Sequence, residues 1–464
     1  MFSKVSLAFL LKQVGVAIIY AAILYLGETL FESDDSYGNF EASTGFALAV
    51  LLLGGRRYAY GLLGGALALR IGMGEGLLSA LIAASGDTLQ ALLGYWLINR
   101  KRLFDPHLKT LRDYLVLILL GGCVSMAVGA VFTNAAFLMI GELASGEYLE
   151  AMLRWWMSDT LGIILVAPLI LVWSTKGEGR IAPLRVLATF AFILLTLAFC
   201  GLVFLDMGRG TFFEPLAQNY WLFLIVSWAA VSLGTRETVI VLLLTASFGL
   251  TGAIEGIGYF GHDIEASHLA NYWFYMTILS VVGMALATYF SERKLAAKEL
   301  HNLAFYDPLT QLPNRRLLLD RLQQVRLSSE RNGRHFMLAY LDLDRFKNIN
   351  DTLGHDFGDI LLRQVAHRLT DKIRKCDTVA LVDSTVARLS GDEFVVLIED
   401  LSDKPLEAAL QAETICKKLL NEFVQPFALG STEYRCTASI GVGLFKGAAL
   451  PLDELLKQTD IAMY

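Results

Sequence analysis

Two short acidic stretches have the residue types and spacing for chemistry on a phosphate. In Ser390-Gly391-Asp392-Glu393-Phe394 two carboxylates sit side by side behind a glycine, at a tight turn between strand-like runs over 385–389 and 394–398. Glycine has no side chain to block an anion from the backbone N–H groups of such a turn. Two acids beside a phosphate would repel it unless a divalent cation lies between them, and hard carboxylate oxygens suit Mg²⁺ or Mn²⁺. Asp342 and Asp344, in Tyr340-Leu341-Asp342-Leu343-Asp344, close another apolar strand-like run. Alternate residues of a strand share a face, so this spacing puts the two acids on one side.

The elements around these acids follow from the pattern. A turn-rich stretch at 307–315 leads into a helical pattern over 316–329. Then come a strand over 336–341, a helix over 353–375, the hairpin with the acidic turn, a helix over 406–423, a strand over 434–445 and a helix from near Pro451. Strand–helix–strand–strand–helix–strand is the split βαβ layout, an α/β ferredoxin-like (βαββαβ) fold. In it the end of the first strand lies beside the central hairpin. The layout therefore predicts that Asp342 and Asp392 meet, although they are remote in sequence.

The rest of the chain is of another kind. Of its 464 residues 55% are hydrophobic, and the formal net charge is −6; the mean hydropathy is +0.51. That is too apolar for an ordinary soluble protein. No basic stripe with interleaved aromatics points to a nucleic-acid partner. The five cysteines are scattered with no C-x-x-C pair, which argues against a disulfide framework or a zinc site. Apolar runs lie at 13–30, 43–55, 58–71, 77–98, 114–140, 153–173, 187–205, 220–234, 238–257 and 270–290. A span of the hydrocarbon needs about 20 apolar residues, so we read a polytopic α-helical membrane domain of eight to ten spans. Basic loops (Lys4 and Lys12, Arg56-Arg57, Arg100 to Arg112, Lys176 to Arg185, Arg236, Arg293-Lys294) alternate with acidic or weakly charged ones. With ten spans this alternation places both termini in the cytoplasm.

Within the membrane half, Asp87 and Asp159 interrupt apolar runs and Arg70 lies near the end of one. Such residues are either paired structural groups or functional ones. His262, Asp263, Glu265 and His268 are metal-ligand types on an outer loop, but their spacing matches no motif with a known mechanism, so a solvated loop is the expectation. Residues 291–304 have helical composition and continue the last apolar run, as a stiff signalling linker or a plain spacer. The organisation expected is a membrane sensor domain at 1–290, a linker helix at 291–304 and an α/β domain at 305–464.

Five ordered motifs carry a family resemblance: 307–315; Asp342-Leu343-Asp344-Arg345-Phe346-Lys347-Asn348-Ile349-Asn350-Asp351; Leu353-Gly354-His355-Asp356-Phe357-Gly358-Asp359; 390–394; and Ser439-Ile440-Gly441-Val442. With them, residues 303–464 resemble the GGDEF domain of diguanylate cyclases. The resemblance implies condensation of two GTP into cyclic di-GMP with Mg²⁺ or Mn²⁺. It implies metal ligation by Asp342, Asp392 and the backbone of Leu343, with Asp392 and Glu393 as the catalytic acids. Asp392 is also a candidate for deprotonating the attacking hydroxyl. Asn350 and Asp359 resemble the pair that reads the guanine edge, whose N1–H and N2–H₂ donors an amide oxygen and a carboxylate accept. Lys347 and the backbone around Phe346 would contact phosphates, and Gly391 would let the nucleotide come close. Each domain holds one GTP, so the resemblance implies a homodimer through this domain and the linker helix.

The first half also carries a resemblance. Residues 43–55 run into Arg56-Arg57; Gly64-Gly65-Ala66 follows; and Trp156-Met157-Ser158-Asp159-Thr160-Leu161-Gly162-Ile163 ends in Ala167-Pro168-Leu169. Over residues 10–290 the chain is similar to the MASE group of integral-membrane sensor domains. That implies a multi-pass protein of the bacterial inner membrane, in contact with lipid and with a sensor ligand of unknown identity.

Three departures qualify the cyclase pattern. Ser390 stands where the signature has a first glycine. Arg374 and Asp377 resemble the R-x-x-D product-inhibition motif, but lie about seven positions too far upstream, with a short D-T-V-A and S-T-V-A duplication between motif and turn. The family pattern also continues past Tyr464, with a lysine-bearing helix end and a final strand, so the sequence reads as a piece of a longer protein, with a phosphodiesterase domain the candidate continuation. Three readings stay open: a membrane-anchored diguanylate cyclase, a GTP-binding regulatory module with little or no cyclase activity, and a transporter with a cytoplasmic domain.

Overall fold

The computed structural model describes residues 7–30, 40–100, 104–174, 183–212, 218–380, 384–430 and 432–463. They form two compact units, Met1–Lys294 and Leu295–Tyr464.

The first unit is helical, and each of the ten apolar runs forms a helix. They are Leu7–Leu30, Ala42–Gly54, Ala59–Gly72, Leu77–Asn99, Leu111–Ile140, Tyr148–Trp173, Pro183–Phe204, Tyr220–Ser232, Thr235–Ile254 and Ala270–Phe305. Among the described residues seven are long and apolar enough to cross a membrane, against the eight to ten spans expected. Ala42–Gly54 and Tyr220–Ser232 have 13 residues and Ala59–Gly72 has 14, which reach only about 20 Å at the helical rise.

Ala42–Gly54 is held inside the unit by backbone contact. It packs along Tyr148–Trp173 with Gly45 against Gly162. A Cβ at Gly45 would lie 2.2 Å from the Gly162 carbonyl oxygen, and one at Gly162 would lie 1.9 Å from that of Glu41. Lipid is as apolar as a leucine side chain, so close packing between small residues takes over from the hydrophobic effect as the force joining helices. Gly61 and Gly65 likewise meet Gln13 and Ala17 of the first helix, whereas Gly55, Gly64, Gly72 and Gly74 face open space.

The second unit is the expected α/β fold. Its strands are β1 (His335–Leu343), β2 (Ser384–Ser390), β3 (Glu393–Leu401), β4 (Phe427–Leu429), β5 (Thr432–Tyr434) and β6 (Ala438–Lys446). The main sheet runs β2-β3-β1-β6 with every neighbour antiparallel. Strand alternation sorts its two faces. Met337, Ala339, Leu341 and Leu343 of β1 face a core shared with the helices His355–Ala380 and Pro405–Asn421. Phe336, Leu338 and Tyr340 face the other core, with Leu318, Leu322 and Leu455 from the helices Arg315–Asn332 and Leu452–Ile461. Each fully buried Leu or Phe contributes about 1.5–3 kcal/mol relative to exposure, so both faces stabilise the strand that carries Asp342.

Two expectations need correction. The strand read over 434–445 is the end of a separate hairpin, β4–β5, followed by β6. The helix read over 353–375 forms as His355–Ala380, but a separate short helix, Phe346–Leu353, precedes it where none was expected. Gly354, at φ 94°, turns the chain between them in a conformation that favours glycine.

Gly162→Ala should lower the thermal midpoint of the membrane unit, a destabilisation of about 1–3 kcal/mol, while Gly64→Ala should leave it unchanged. Tryptophan fluorescence during thermal unfolding checks both.

Candidate active site

The sheet brings the predicted acids together. Asp342 ends β1 directly opposite Glu393 of β3, and on its other side faces Ser439 of β6. Asp392 occupies the turn between β2 and β3, next to Glu393. The Asp342 carboxyl is pushed up to about 6, first by partial burial and then by the charges of Asp392, Glu393, Asp344 and Asp460. Four neighbouring acids therefore act on it together. Asp344 lies just past β1, and its carboxylate is taken by the hydroxyls of Thr437 and Ser439, at 2.5 and 2.8 Å.

The turn is clamped from outside the acidic group. Gly391 has φ 49°, a left-handed conformation that glycine adopts without strain. The Arg388 guanidinium donates to the Gly391 carbonyl from Nε and Nη2, at 3.0 and 2.7 Å, and from Nη1 to Asp307 at 2.9 Å. Asp307 also accepts from the Thr310 N–H and hydroxyl. Burial acts to raise its carboxyl, but these bonds and the Arg388 charge outweigh it and hold the group below its ordinary value. The turn-rich stretch after the linker helix is therefore tied to the acidic turn by one ion pair. Ser390, in place of glycine, donates its hydroxyl to the Glu393 carboxylate at 2.7 Å. A glycine cannot make this bond.

The residues expected to bind nucleotide lie on the two helices after β1. Phe346 and Lys347 open the first of them, after Arg345 at φ 61°. Asn350 lies on it one turn later, and Asp359 lies on the next helix, both half-buried. Gly358 sits between the two: a Cβ there would come 2.1 Å from the Asn350 Oδ1 and 3.2 Å from the Phe346 ring. Its missing side chain is what lets Asn350 pack against the helix that carries Asp359. Arg374 and Asp377 fall on the last turns of His355–Ala380, and their side chains lie outside the described residues.

Sequence reasoning missed Asp460, Arg388 and Tyr340 as neighbours of the acids. Asp460 reaches Asp342 only because Leu452–Ile461 packs across β1 and β6, a contact with no local signal. The outer-loop group resolves as a cap. Asp263 is buried and accepts from the Ser267 hydroxyl, the Asn271 amide and the Tyr272 N–H, at 2.6, 2.7 and 3.0 Å, while His268 faces Glu150 at 3.9 Å. Among the described residues no three His, Cys, Asp or Glu side chains gather as a metal site. The expected donor set at β1 has two side chains and a main-chain carbonyl, and an excess of negative charge that suits a divalent cation.

Comparison with known proteins decides the family. The MASE1 family matches residues 10–294, and the family described as diguanylate cyclase, GGDEF domain, matches residues 304–464. The chain belongs to the MASE1 family and carries a GGDEF domain. Among curated relatives it is 33% identical over 302 residues to the bifunctional diguanylate cyclase/cyclic di-GMP phosphodiesterase MucR of Pseudomonas aeruginosa, covering 57% of this chain and 42% of MucR. It is 35% identical to the diguanylate cyclase TpbB of the same species over 36% of this chain and 35% of TpbB. The solved GGDEF domain of TpbB is 32% identical and aligns at a TM-score of 0.31, covering 34% of this chain and 86% of that one. The match spans less than half the length of these curated relatives.

Asp342 gives a pH test. Its carboxyl is raised to about 6 in the folded chain, above the unfolded value of about 3.9. Ionising it therefore removes stability as pH rises from about 4 through 6. In metal-free protein at pH 8, Asp342→Asn should slow hydrogen exchange of the β1 amides. At pH 4 it should have little effect.

Proposed function

We propose that this protein is a diguanylate cyclase of the bacterial inner membrane, joining two GTP into cyclic di-GMP with release of two pyrophosphates. The observation that carries the reading is the meeting of Asp342 with the Asp392-Glu393 turn at one sheet end, beside the helices that bear Asn350 and Asp359. The matches to MucR and TpbB, named as diguanylate cyclases, support it.

In this reading Asp342, Asp392 and the Leu343 carbonyl hold Mg²⁺ or Mn²⁺ against the triphosphate. Bound there, the cation neutralises charge on the phosphates and orients attack in line. Asn350 accepts from the guanine edge and Asp359 accepts beside it, which fixes the base. The N–H groups that open Phe346–Leu353 point at the phosphates, and Lys347 adds a positive charge. Each 3′ oxygen attacks the α-phosphorus of the other nucleotide as its α–β bridging oxygen leaves with pyrophosphate, and the hydroxyl proton passes to a base for which Asp392 is the candidate. Arg388 and Asp307 hold the turn in place, and Ser390 fixes Glu393.

One GTP per domain requires two domains face to face. The linker end of Ala270–Phe305 exposes Leu295, Leu300 and Leu303, apolar residues that a second copy would cover. The ten apolar helices and the alternation of basic loops support a multi-pass domain with cytoplasmic termini. Arg374 and Asp377 would bind product. A GTP-binding module without turnover is the second reading, and the Ser390 bond to Glu393 favours it, since that bond engages a signature carboxylate.

With GTP and Mg²⁺ or Mn²⁺, the full chain in membranes should form cyclic di-GMP and pyrophosphate. Asp392→Ala should reduce this at least ~100-fold. Asn350→Ala should weaken GTP binding about tenfold, the scale of one lost hydrogen bond. Saturable GTP binding by the wild type with no product would establish the second reading.

A further inference from the structure

The membrane unit holds a buried polar centre that the cyclase chemistry does not use. Arg70 reaches Glu75 at 3.2 Å and Asp87 at 3.3 Å, with side-chain exposures of 34% at Glu75, 13% at Arg70 and 6% at Asp87. Burial thus deepens from the 72–76 loop inward. One turn beyond Asp87, Gln90 donates from Nε2 to the Asp159 carboxylate at 2.7 Å. Asp159 stands near the middle of Tyr148–Trp173 and is 2% exposed.

Asp159 lacks what Asp87 has. Its hydrogen-bond partners are neutral, Gln90 and the Trp155 side chain, and the charges that face it, Asp87 and Glu41, are both negative. Arg70, on the helix Ala59–Gly72, is engaged by Asp87 and Glu75. The hydroxyl of Tyr20, the remaining titratable group in the cluster, pairs with Ser43. The facing stretch of Leu111–Ile140 buries Ser125, Thr133 and Asn134, none of which titrates. A second observation comes from Gln90 itself. It is 2% exposed, its amide is aimed at Asp159, and its Oε1 is buried with no hydrogen-bond partner. A carboxylate without a counter-charge and an amide oxygen without a donor therefore lie together inside a transmembrane bundle, where an unpaired charge costs several kcal/mol.

We propose that Asp159 and Gln90 form a binding site for one small monovalent cation, entering along the Glu75–Arg70–Asp87 side. The site itself offers one carboxylate and one amide oxygen, which suits a single positive charge. A proton and Na⁺ both answer this chemistry, and the test separates them. The site is coupled to the helix that continues into the linker. Trp273 of Ala270–Phe305 donates its indole N–H to the Met157 carbonyl at 2.7 Å, and its ring packs on Trp156 at 5.6 Å. Binding at Asp159 is thus placed to bias that helix. The inference does not rest on cyclase activity.

All seven tryptophans precede residue 274, so tryptophan fluorescence of the full chain reads the membrane unit alone. The experiment uses the full chain in lipid nanodiscs and follows thermal unfolding. One arm exchanges Na⁺ for N-methylglucammonium at pH 8 and fixed ionic strength. The other compares pH 5.5 with pH 8 without Na⁺. A rise of the wild-type midpoint with Na⁺ assigns an alkali ion; a rise with acid alone assigns a proton. In either case Asp159→Asn should remove the response. Gln90→Glu, which adds a second carboxylate, should respond at a Na⁺ or proton concentration at least tenfold lower. A wild type that responds to neither change, a response that persists in Asp159→Asn, or a Gln90→Glu response unchanged from wild type would overturn the proposal.

Discussion

Like-charge crowding at one end of a sheet is the constraint on which the α/β unit depends. Asp342, Asp392 and Glu393 converge there, with Asp460 behind them, and a folded domain gains nothing from such repulsion by itself. The apolar faces of β1 and β3 hold the acids in place: Leu341 and Phe394, the next pair along the two strands from Asp342–Glu393, are fully buried. The Arg388 clamp on Gly391 stops the turn from relaxing outward. Packing energy is thus converted into a fixed patch of negative charge, which a bound cation would relieve.

The same logic recurs in the membrane unit with a different outcome. Arg70 compensates Asp87, so that pair is a structural element of the bundle. Asp159 is left with neutral donors. The two aspartates look alike in the sequence, each alone in an apolar run, and only the packing of Ala59–Gly72 against Leu77–Asn99 tells them apart. A sensor domain needs a group whose state changes with conditions, and that is the role proposed for Asp159 and not for Asp87.

Much of the α/β fold was legible because strand and helix periods are strong there and the βαββαβ order admits few topologies. That order alone predicts that Asp342 approaches the Asp392 turn. The β4–β5 hairpin was not legible, since three-residue strands carry too little alternation. The helix Phe346–Leu353 was not legible either, since eight residues show too little of the helical period. In the membrane half the apolar runs located the helices, but the short buried helix Ala42–Gly54 reads like a span until its Gly45–Gly162 contact is seen. Asp460, Arg388 and the Ser390–Glu393 bond depend on tertiary neighbours, and no local pattern announces them.

The account stands on one cation shared by carboxylates from two remote stretches. Electron paramagnetic resonance of Mn²⁺ bound to the full chain, with a GTP analogue that cannot be cyclised, tests this most directly. The expected result is one tightly bound Mn²⁺ per nucleotide, lost from Asp342→Asn and from Asp392→Asn alike. Tight Mn²⁺ binding that survives either substitution would contradict it.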